Sequence, residues 1–246
     1  MINADQTLER MQQLKLLGMA QAYATTITLP VHELPTAHEL MARLVEAEQI
    51  NRTYQRTQLY LKLSGLRYDA LLEQVQCSSE RNITRDQILT LSDCMFISRA
   101  ENILITGSTG CGKSYLACAF GRQACTLGHK VFYLGMNRFA EKIAQAKLEG
   151  SYIRLLNQIE KTPLIIIDDF GLTPLDNHVR LALLQVLEDR YGKRSTIITS
   201  QLPVNKWHQF INEPTLADAI MDRLSGSAHR FELKGESMRK KKISVK

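Results

Sequence analysis

From Asn102 onward, short apolar, β-branched runs alternate with longer stretches whose apolar residues recur every three or four positions. That alternation is the signature of strands and helices packed around a parallel sheet. Residues 103–106, 131–134, 164–168, 196–200 and 230–233 read as five strands. Helices are expected between them at 113–127, 137–148, 179–190 and 215–224, with Gly128 and Gly150 as C-caps of two of them. Before residue 100 the pattern is helical only. Leu8, Met11, Leu14 and Leu17 share a face over residues 3–20, where Asn3 and Gln6 can form an N-terminal cap. Thr36 and Glu39 make a capping box at the start of a long helix through Leu40, Leu44, Ala47 and Ile50, which Ser64-Gly65 ends. Residues 76–100 turn polar, with Thr84 and Gln87 capping a short helix through Leu91. The expectation is an all-helical N-terminal domain over 1–76, a connector over 77–100 and an α/β domain with a five-stranded parallel sheet over 101–246.

Composition narrows the class. A chain of 246 residues can bury one full core with a smaller appendage. No apolar run approaches the ~20 residues of a membrane span, and residues 1–10 lack the apolar segment of a secretory signal. A cytoplasmic protein without a membrane partner is expected. Five cysteines, with no Cys-x-x-Cys pair among them, argue against both a disulfide framework and a zinc site. The formal charge of +6 is uneven: residues 231–246 carry 6 Lys and Arg against 2 Asp and Glu. Such a balance suits a polyanionic partner, although a lysine-rich terminus can also be a solvated tail.

The strongest chemical signal follows the first strand. Gly107-Ser108-Thr109-Gly110-Cys111-Gly112-Lys113-Ser114 fills every fixed position of the eight-residue phosphate loop, with a helix after it. Glycines leave room for a ring of backbone N–H groups around phosphate oxygens, and the helix N-terminus adds unsatisfied amides aimed at the same place. Lys113 supplies charge to the β- and γ-phosphates, and the Ser114 hydroxyl suits a Mg²⁺ ion that keeps most of its waters. Tyr115 completes the expected contact set. Leu164-Ile165-Ile166-Ile167 then runs into Asp168 and Asp169. A pair of carboxylates at the end of an oily strand is costly unless it serves a cation or a proton. Asp168 is therefore expected to hold the metal and Asp169 to face the γ-phosphate. On the strand 196–200, Ser200 or Gln201 can hydrogen-bond an attacking water or the γ-phosphate; a plain strand end is the competing reading.

Together, Gly107 to Ser114, Asp168-Asp169-Phe170-Gly171, Thr199-Ser200-Gln201-Leu202-Pro203 and Met221-Asp222-Arg223-Leu224 resemble the IstB-like ATPases. These are helpers of insertion-sequence transposases and relatives of the helicase loader DnaC and the initiator DnaA within the AAA+ class. Leu17-Gly18-Met19-Ala20 and Glu46-Ala47-Glu48 extend the resemblance into the N-terminal domain. It implies ATP and Mg²⁺ bound between adjacent copies of a homo-oligomer, duplex DNA in the lumen and a transposase as partner. It further implies that Arg223 is an arginine finger presented to the neighbouring copy and that Arg239 touches the nucleotide in cis. A surface ion pair with Asp222 or Asp218 is the plain alternative for Arg223, and the start of the basic tail for Arg239. Asp169 stands where many AAA+ proteins have Glu, one methylene longer, so slow hydrolysis is expected. Few residues follow the last strand, which argues against a full helical lid.

DNA contacts are expected from Lys142, Lys147, Arg154, His178 and Arg180. Arg52 and Arg56, one helical turn apart, are added as a pair that can face a phosphate backbone. Each can equally be a solvated cation, and Arg52 and Arg56 can pair with Glu46 and Glu48. The function expected is an ATP-dependent DNA-binding ATPase serving a transposase. A DnaC-like helicase loader, a small-molecule kinase and a nucleotide-gated interaction module are the alternatives.

Overall fold

The computed structural model describes residues 3–238. Two compact units divide the chain, Met1–Leu59 and Tyr60–Lys246.

In the first unit, the stretch expected as one helix is two, α1 (Ala4–Gln13) and α2 (Leu17–Thr26). The break falls at Lys15, in the left-handed region at φ 59°, and Asn3 makes no side-chain cap. Its reason lies in the next helix, α3 (Ala37–Ser64). Glu48 of α3 accepts hydrogen bonds from the backbone N–H groups of Gly18 (2.9 Å) and Met19 (3.2 Å). Those amides are free only because a helix starts there, and a carboxylate at a helix start is favourable. A Cβ on Gly18 would lie 2.3 Å from the Ala47 carbonyl oxygen, so only glycine lets α2 come this close. Arg52 holds Glu48 from the other side at 2.7 Å. The capping box of α3 is present: Thr36 N–H donates to Glu39 (2.9 Å) and Glu39 N–H to the Thr36 hydroxyl (3.4 Å).

The second unit is a five-stranded sheet, all parallel, in the order β2-β3-β4-β1-β5. Its strands are β1 (Asn102–Gly107), β2 (Val131–Gly135), β3 (Leu164–Phe170), β4 (Ser195–Ser200) and β5 (Ala228–Leu233). Helix α6 (Lys113–Thr126) covers one face; α7 (Met136–Leu148), α9 (Asn177–Arg190) and α11 (Pro214–Ser225) cover the other. Burial on both faces explains why the central strands are continuous apolar runs. The segment expected as a connector is core. Ile83, Ile88, Leu91, Cys94, Phe96 and Ile97 are all buried and pack with α6, around short helices α4 (Arg85–Leu91), capped by Thr84 and Gln87, and α5 (Met95–Ser98). Two further helices, α8 (Tyr152–Lys161) and α10 (Trp207–Ile211), are additions to the pattern read from sequence. Gly128 (φ 87°) and Gly150 (φ 68°) terminate helices as expected.

At the starting edge of the sheet, Arg190 is 1 % exposed and has carbonyls rather than a carboxylate for partners. It donates to Ile159 (2.6 Å), Thr162 (2.7 Å), Pro163 (3.4 Å) and Ser195, and to the Thr196 hydroxyl (3.3 Å). Burial, with Arg194 nearby, pulls its pKa down to about 9. The opposite edge, where the strands end, carries the site.

Candidate nucleotide site

β1 ends at Gly107 and α6 begins at Lys113, so the phosphate loop spans the edge between a central strand and its helix. Gly110 (φ 82°) and Gly112 (φ 97°) hold left-handed conformations that expose successive N–H groups on the inner side of the turn. There is no spare room either: a Cβ on Gly110 would meet the Ser237 hydroxyl at 2.2 Å. Lys113 is buried, and its ammonium donates to the Ser108 carbonyl at 2.9 Å, which keeps the charge in the bowl of the loop.

The acidic pair is aimed by a bulge in β3. Register runs Ile167 to Ile198 and resumes at Phe170 to Ser200, so Asp168 and Asp169 together oppose the single residue Thr199. In a regular strand two successive side chains point to opposite faces. The extra residue, with Asp169 at φ 60°, breaks that alternation. Both carboxylates consequently reach one cation, Arg67, whose Nη1 is 3.8 Å from Asp168 Oδ2 and 3.6 Å from Asp169 Oδ2. Asp168 is fully buried and accepts hydrogen bonds from Ser114 (2.8 Å), Tyr133 and Thr199. Thr199 in turn accepts the Asp169 N–H at 3.1 Å. Burial first, then the Asp168 carboxylate beside it, pushes the Tyr133 phenol well above its usual range, so it stays a donor.

The donor set suits magnesium. Ser114 Oγ and Asp168 Oδ1 are adjacent, one hydroxyl and one carboxylate, which is what an ion that keeps several waters and takes phosphate oxygens requires. Among the described residues no cluster of three His, Cys, Asp or Glu offers an all-protein cage instead.

A cavity of about 900 Å³ opens in front of the loop, lined by Thr109, Lys113, Ser114, Asp169 and Gln201. Its remaining wall comes from residues 67–83 and from Leu233 and Met238. Tyr115 donates to Gln74 at 3.0 Å, and its ring stands 6.4 Å from Tyr68. Together with Val75, Ile83 and Leu116 they give the cavity an aromatic and apolar part of its wall. Arg81, which also lines the cavity, donates to the Cys111 carbonyl at 2.8 Å and so clamps the loop, while the Cys111 side chain is buried. Met238 N–H donates to the Gly110 carbonyl at 3.0 Å.

Ser200 is fully buried; its hydroxyl donates to Phe170 O (2.5 Å) and accepts from Leu202 N–H (3.0 Å), away from the loop. Its neighbour Gln201 is the polar group that reaches the loop, accepting from Thr109 at 2.7 Å. Arg223 lies at the other edge of the sheet, where Asn102, the first residue of β1, donates to its carbonyl at 3.1 Å. Six strand residues, about 20 Å at the usual rise, separate that edge from the phosphate loop. Its guanidinium pairs with Glu188 and Asp222, each at 2.9 Å, and lies over the Tyr191 ring; Nε is buried without a hydrogen-bond partner. Arg239 lies outside the described residues.

Of the basic residues expected at DNA, Lys142, Lys147, Arg154 and His178 are exposed on α7, α8 and the start of α9. Lys147 stands 3.5 Å from His178 and over the Tyr152 ring, so three of the elements meet there. Exposed Leu148 and Ile153 flank the same turn. Arg180 instead braces the fold, donating to Leu175 O (3.1 Å) and Asn212 O (3.3 Å). Arg52 is paired with Glu48, and Arg56 lines a groove between α2 and α3.

Sequence reasoning missed Arg67, Tyr133, Thr199 and Arg81 as parts of this site. No motif marks Arg67, which follows the helix end at Ser64-Gly65, and Thr199 carries only the mild signal of polarity at the end of an apolar strand.

Comparison with known proteins agrees with this geometry. The family described as IstB-like ATP binding protein matches residues 9–245. The insertion sequence ATP-binding protein y4pL of Sinorhizobium fredii is 41% identical over 237 residues, 96% of this chain and 97% of its own. The IS1162 ATP-binding protein of Pseudomonas fluorescens is 39% identical over 198 residues, 80% of this chain and 86% of that one. Among solved structures, the DnaC helicase loader superposes with TM-score 0.57 at 19% identity, covering 68% of this chain and 98% of its own. AMPPCP-bound DnaA from Aquifex aeolicus superposes with TM-score 0.58 at 18% identity, over 73% of this chain and about half (55%) of that one. At such identity these last two likenesses are likenesses of fold.

Proposed function

The chain belongs to the IstB-like ATP-binding protein family, and from that premise we propose that it hydrolyses ATP, assembles on duplex DNA and serves a transposase. The observation that carries the hydrolysis is the arrangement of Lys113, Ser114 and Asp168 around a glycine cradle with Asp169 beside them. Lys113 and the loop amides bind and orient the β- and γ-phosphates. Ser114 and Asp168 would hold Mg²⁺, which when bound neutralises phosphate charge. Tyr133 and Thr199 hold the Asp168 carboxylate in place by donating to it. Asp169 accepts a proton from water in front of the γ-phosphate, and Gln201 and Thr109 orient that water from the other wall. The wall of Tyr68, Tyr115, Val75 and Ile83 suits a flat base.

Assembly is supported by the placement of Arg223. A side chain about 20 Å across the sheet from its own phosphate loop can meet a γ-phosphate only in another copy. There, an always-charged, forked guanidinium stabilises charge on the transferring phosphoryl group. DNA binding is assigned to the exposed set Lys142, Lys147, Arg154 and His178, with Arg56 of the first unit, and less to Arg180 and Arg52, whose donors are committed within the fold. The transposase is the partner suggested by relatives named as insertion-sequence proteins.

Size-exclusion chromatography with light scattering tests the whole reading. With DNA and a non-hydrolysable ATP analogue, a higher-order complex is expected; Lys113→Ala should abolish it. Arg223→Ala should leave ATP binding nearly intact while lowering turnover. A monomer unchanged by nucleotide and DNA overturns the assembly, and growth only on addition of a hexameric helicase would turn the reading toward a helicase loader.

A further inference from the structure

We propose that Arg67 is a phosphate-contacting residue of the same pocket, acting within its own chain: it occupies the acidic pair when the pocket is empty and moves to the terminal phosphate when MgATP enters. The inference rests on the nucleotide reading above and deepens it.

Among the described residues three cations line the cavity, and they are not equivalent. Lys113 and Arg81 donate to carbonyls of the phosphate loop itself, at 2.9 and 2.8 Å. Arg67 alone among the three is matched to carboxylates, at 3.6 and 3.8 Å, which is ion-pair distance and too long for a hydrogen bond. Nearly half of its side chain (48 %) is exposed, and the residue lines the cavity. Its other contacts, the Tyr133 phenol and the Tyr68 ring, are not carboxylates, so a guanidinium bound to the acidic pair without a hydrogen bond can exchange that pair for a phosphate.

Its root is firm although its tip is not. Gly65, at φ 67°, ends α3, and Leu66 packs so closely that a Cβ on Gly121 would come within 2.8 Å of its Cδ2. Arg67 therefore projects from a fixed backbone, with its guanidinium also near the Tyr68 ring (5.4 Å).

Entry of nucleotide changes the field at this guanidinium in one direction. Asp168 already accepts from Ser114, Tyr133 and Thr199, so a divalent cation beside Ser114 and Asp168 competes with Arg67 for what remains of its charge. That cation repels the guanidinium, and the terminal phosphate attracts it. Only the γ-phosphate lies toward Asp169, so ATP gains the contact and ADP does not. Arg67 thereby discriminates triphosphate from diphosphate in cis, independently of any finger from a neighbouring copy.

The test is equilibrium binding of fluorescently labelled ATP and ADP with Mg²⁺, by anisotropy, on the full chain. Wild type, Arg67→Gln and Arg67→Lys are compared, with circular dichroism melts to establish that each is folded. Arg67→Gln should weaken MgATP about tenfold, the scale of one charge-assisted phosphate contact, and leave MgADP within about twofold. Arg67→Lys should recover most of the difference. Equal weakening of both nucleotides, or no change in either, overturns the proposal. If one variant does not fold, the ATP-to-ADP ratio of the other decides: it tracks the retained charge or the proposal fails. Failure of wild type to bind either nucleotide would instead sink the nucleotide reading itself.

Discussion

Thr199 offers a measurable test of how the acidic pair is held. Its hydroxyl donates to Asp168 and accepts the Asp169 N–H at 3.1 Å, and the residue is fully buried. Thr199→Val keeps the shape and removes the oxygen, so no cavity term enters. What is lost is one hydrogen bond to a buried acidic side chain and the partner of one backbone N–H, together about 2–4 kcal/mol. For a chain of this length each kcal/mol moves the melting temperature about 2–4 °C, so Tm should fall by about 5–15 °C in a calorimetric or fluorescence melt. Thr199→Ser keeps the hydroxyl and gives up one buried methyl, about 1 kcal/mol, and should melt only about 2–4 °C below wild type. The Mg²⁺-dependent part of ATP affinity should shrink in the valine variant and persist in the serine variant, because only the valine frees Asp168 to turn. A valine variant melting within about 2 °C of wild type, or a serine variant as impaired as the valine, would refute the argument that the hydroxyl organises the pair.

Gly110→Ala should abolish ATP binding by titration fluorimetry, since its Cβ would lie 2.2 Å from the Ser237 hydroxyl at φ 82°. Gly192→Ala, at φ 66° with nothing within 4 Å, carries the same backbone penalty of about 1–2 kcal/mol and should leave binding intact. Arg52, and after it the Gly18 and Met19 amides, hold the Glu48 carboxyl below its ordinary 4.5. Its stabilisation of the first unit is therefore present above pH 4.5 and is lost as the pH falls through the lowered value. Hydrogen exchange at the Gly18 and Met19 amides should accelerate on acidification, and Glu48→Gln should exchange fast at every pH. Burial pushes the Cys94 and Cys125 thiols up to about 12 from an ordinary 9.0. The stability they contribute is full below pH 9 and fades between about 9 and 12; at pH 8 both should resist a thiol reagent that half-buried Cys77 accepts.

The phosphate loop, the acidic pair, the five strands and the two capping boxes were legible in the amino-acid sequence because each depends on neighbours along the chain. Eight consecutive residues make the loop, and a period of two or of 3.6 marks a strand or a helix wherever it occurs. Other features needed the fold. Residues 77–100 look polar in sequence, yet most of their apolar side chains, Ile83, Ile88 and Phe96 among them, turn inward and pack with α6, which makes the segment core. Helix α1 stops because Glu48, some thirty residues on, claims the amides of Gly18 and Met19. The bulge that brings Asp168 and Asp169 to one side is a matter of register between β3 and β4. The alignment of Arg67, Tyr133, Ser114 and Thr199 on those carboxylates joins four separate segments. Local periodicity and motif carry information only over the span of one element. Which distant side chain completes a charge's shell is decided by packing, where burial makes an unpaired carboxylate too costly to leave.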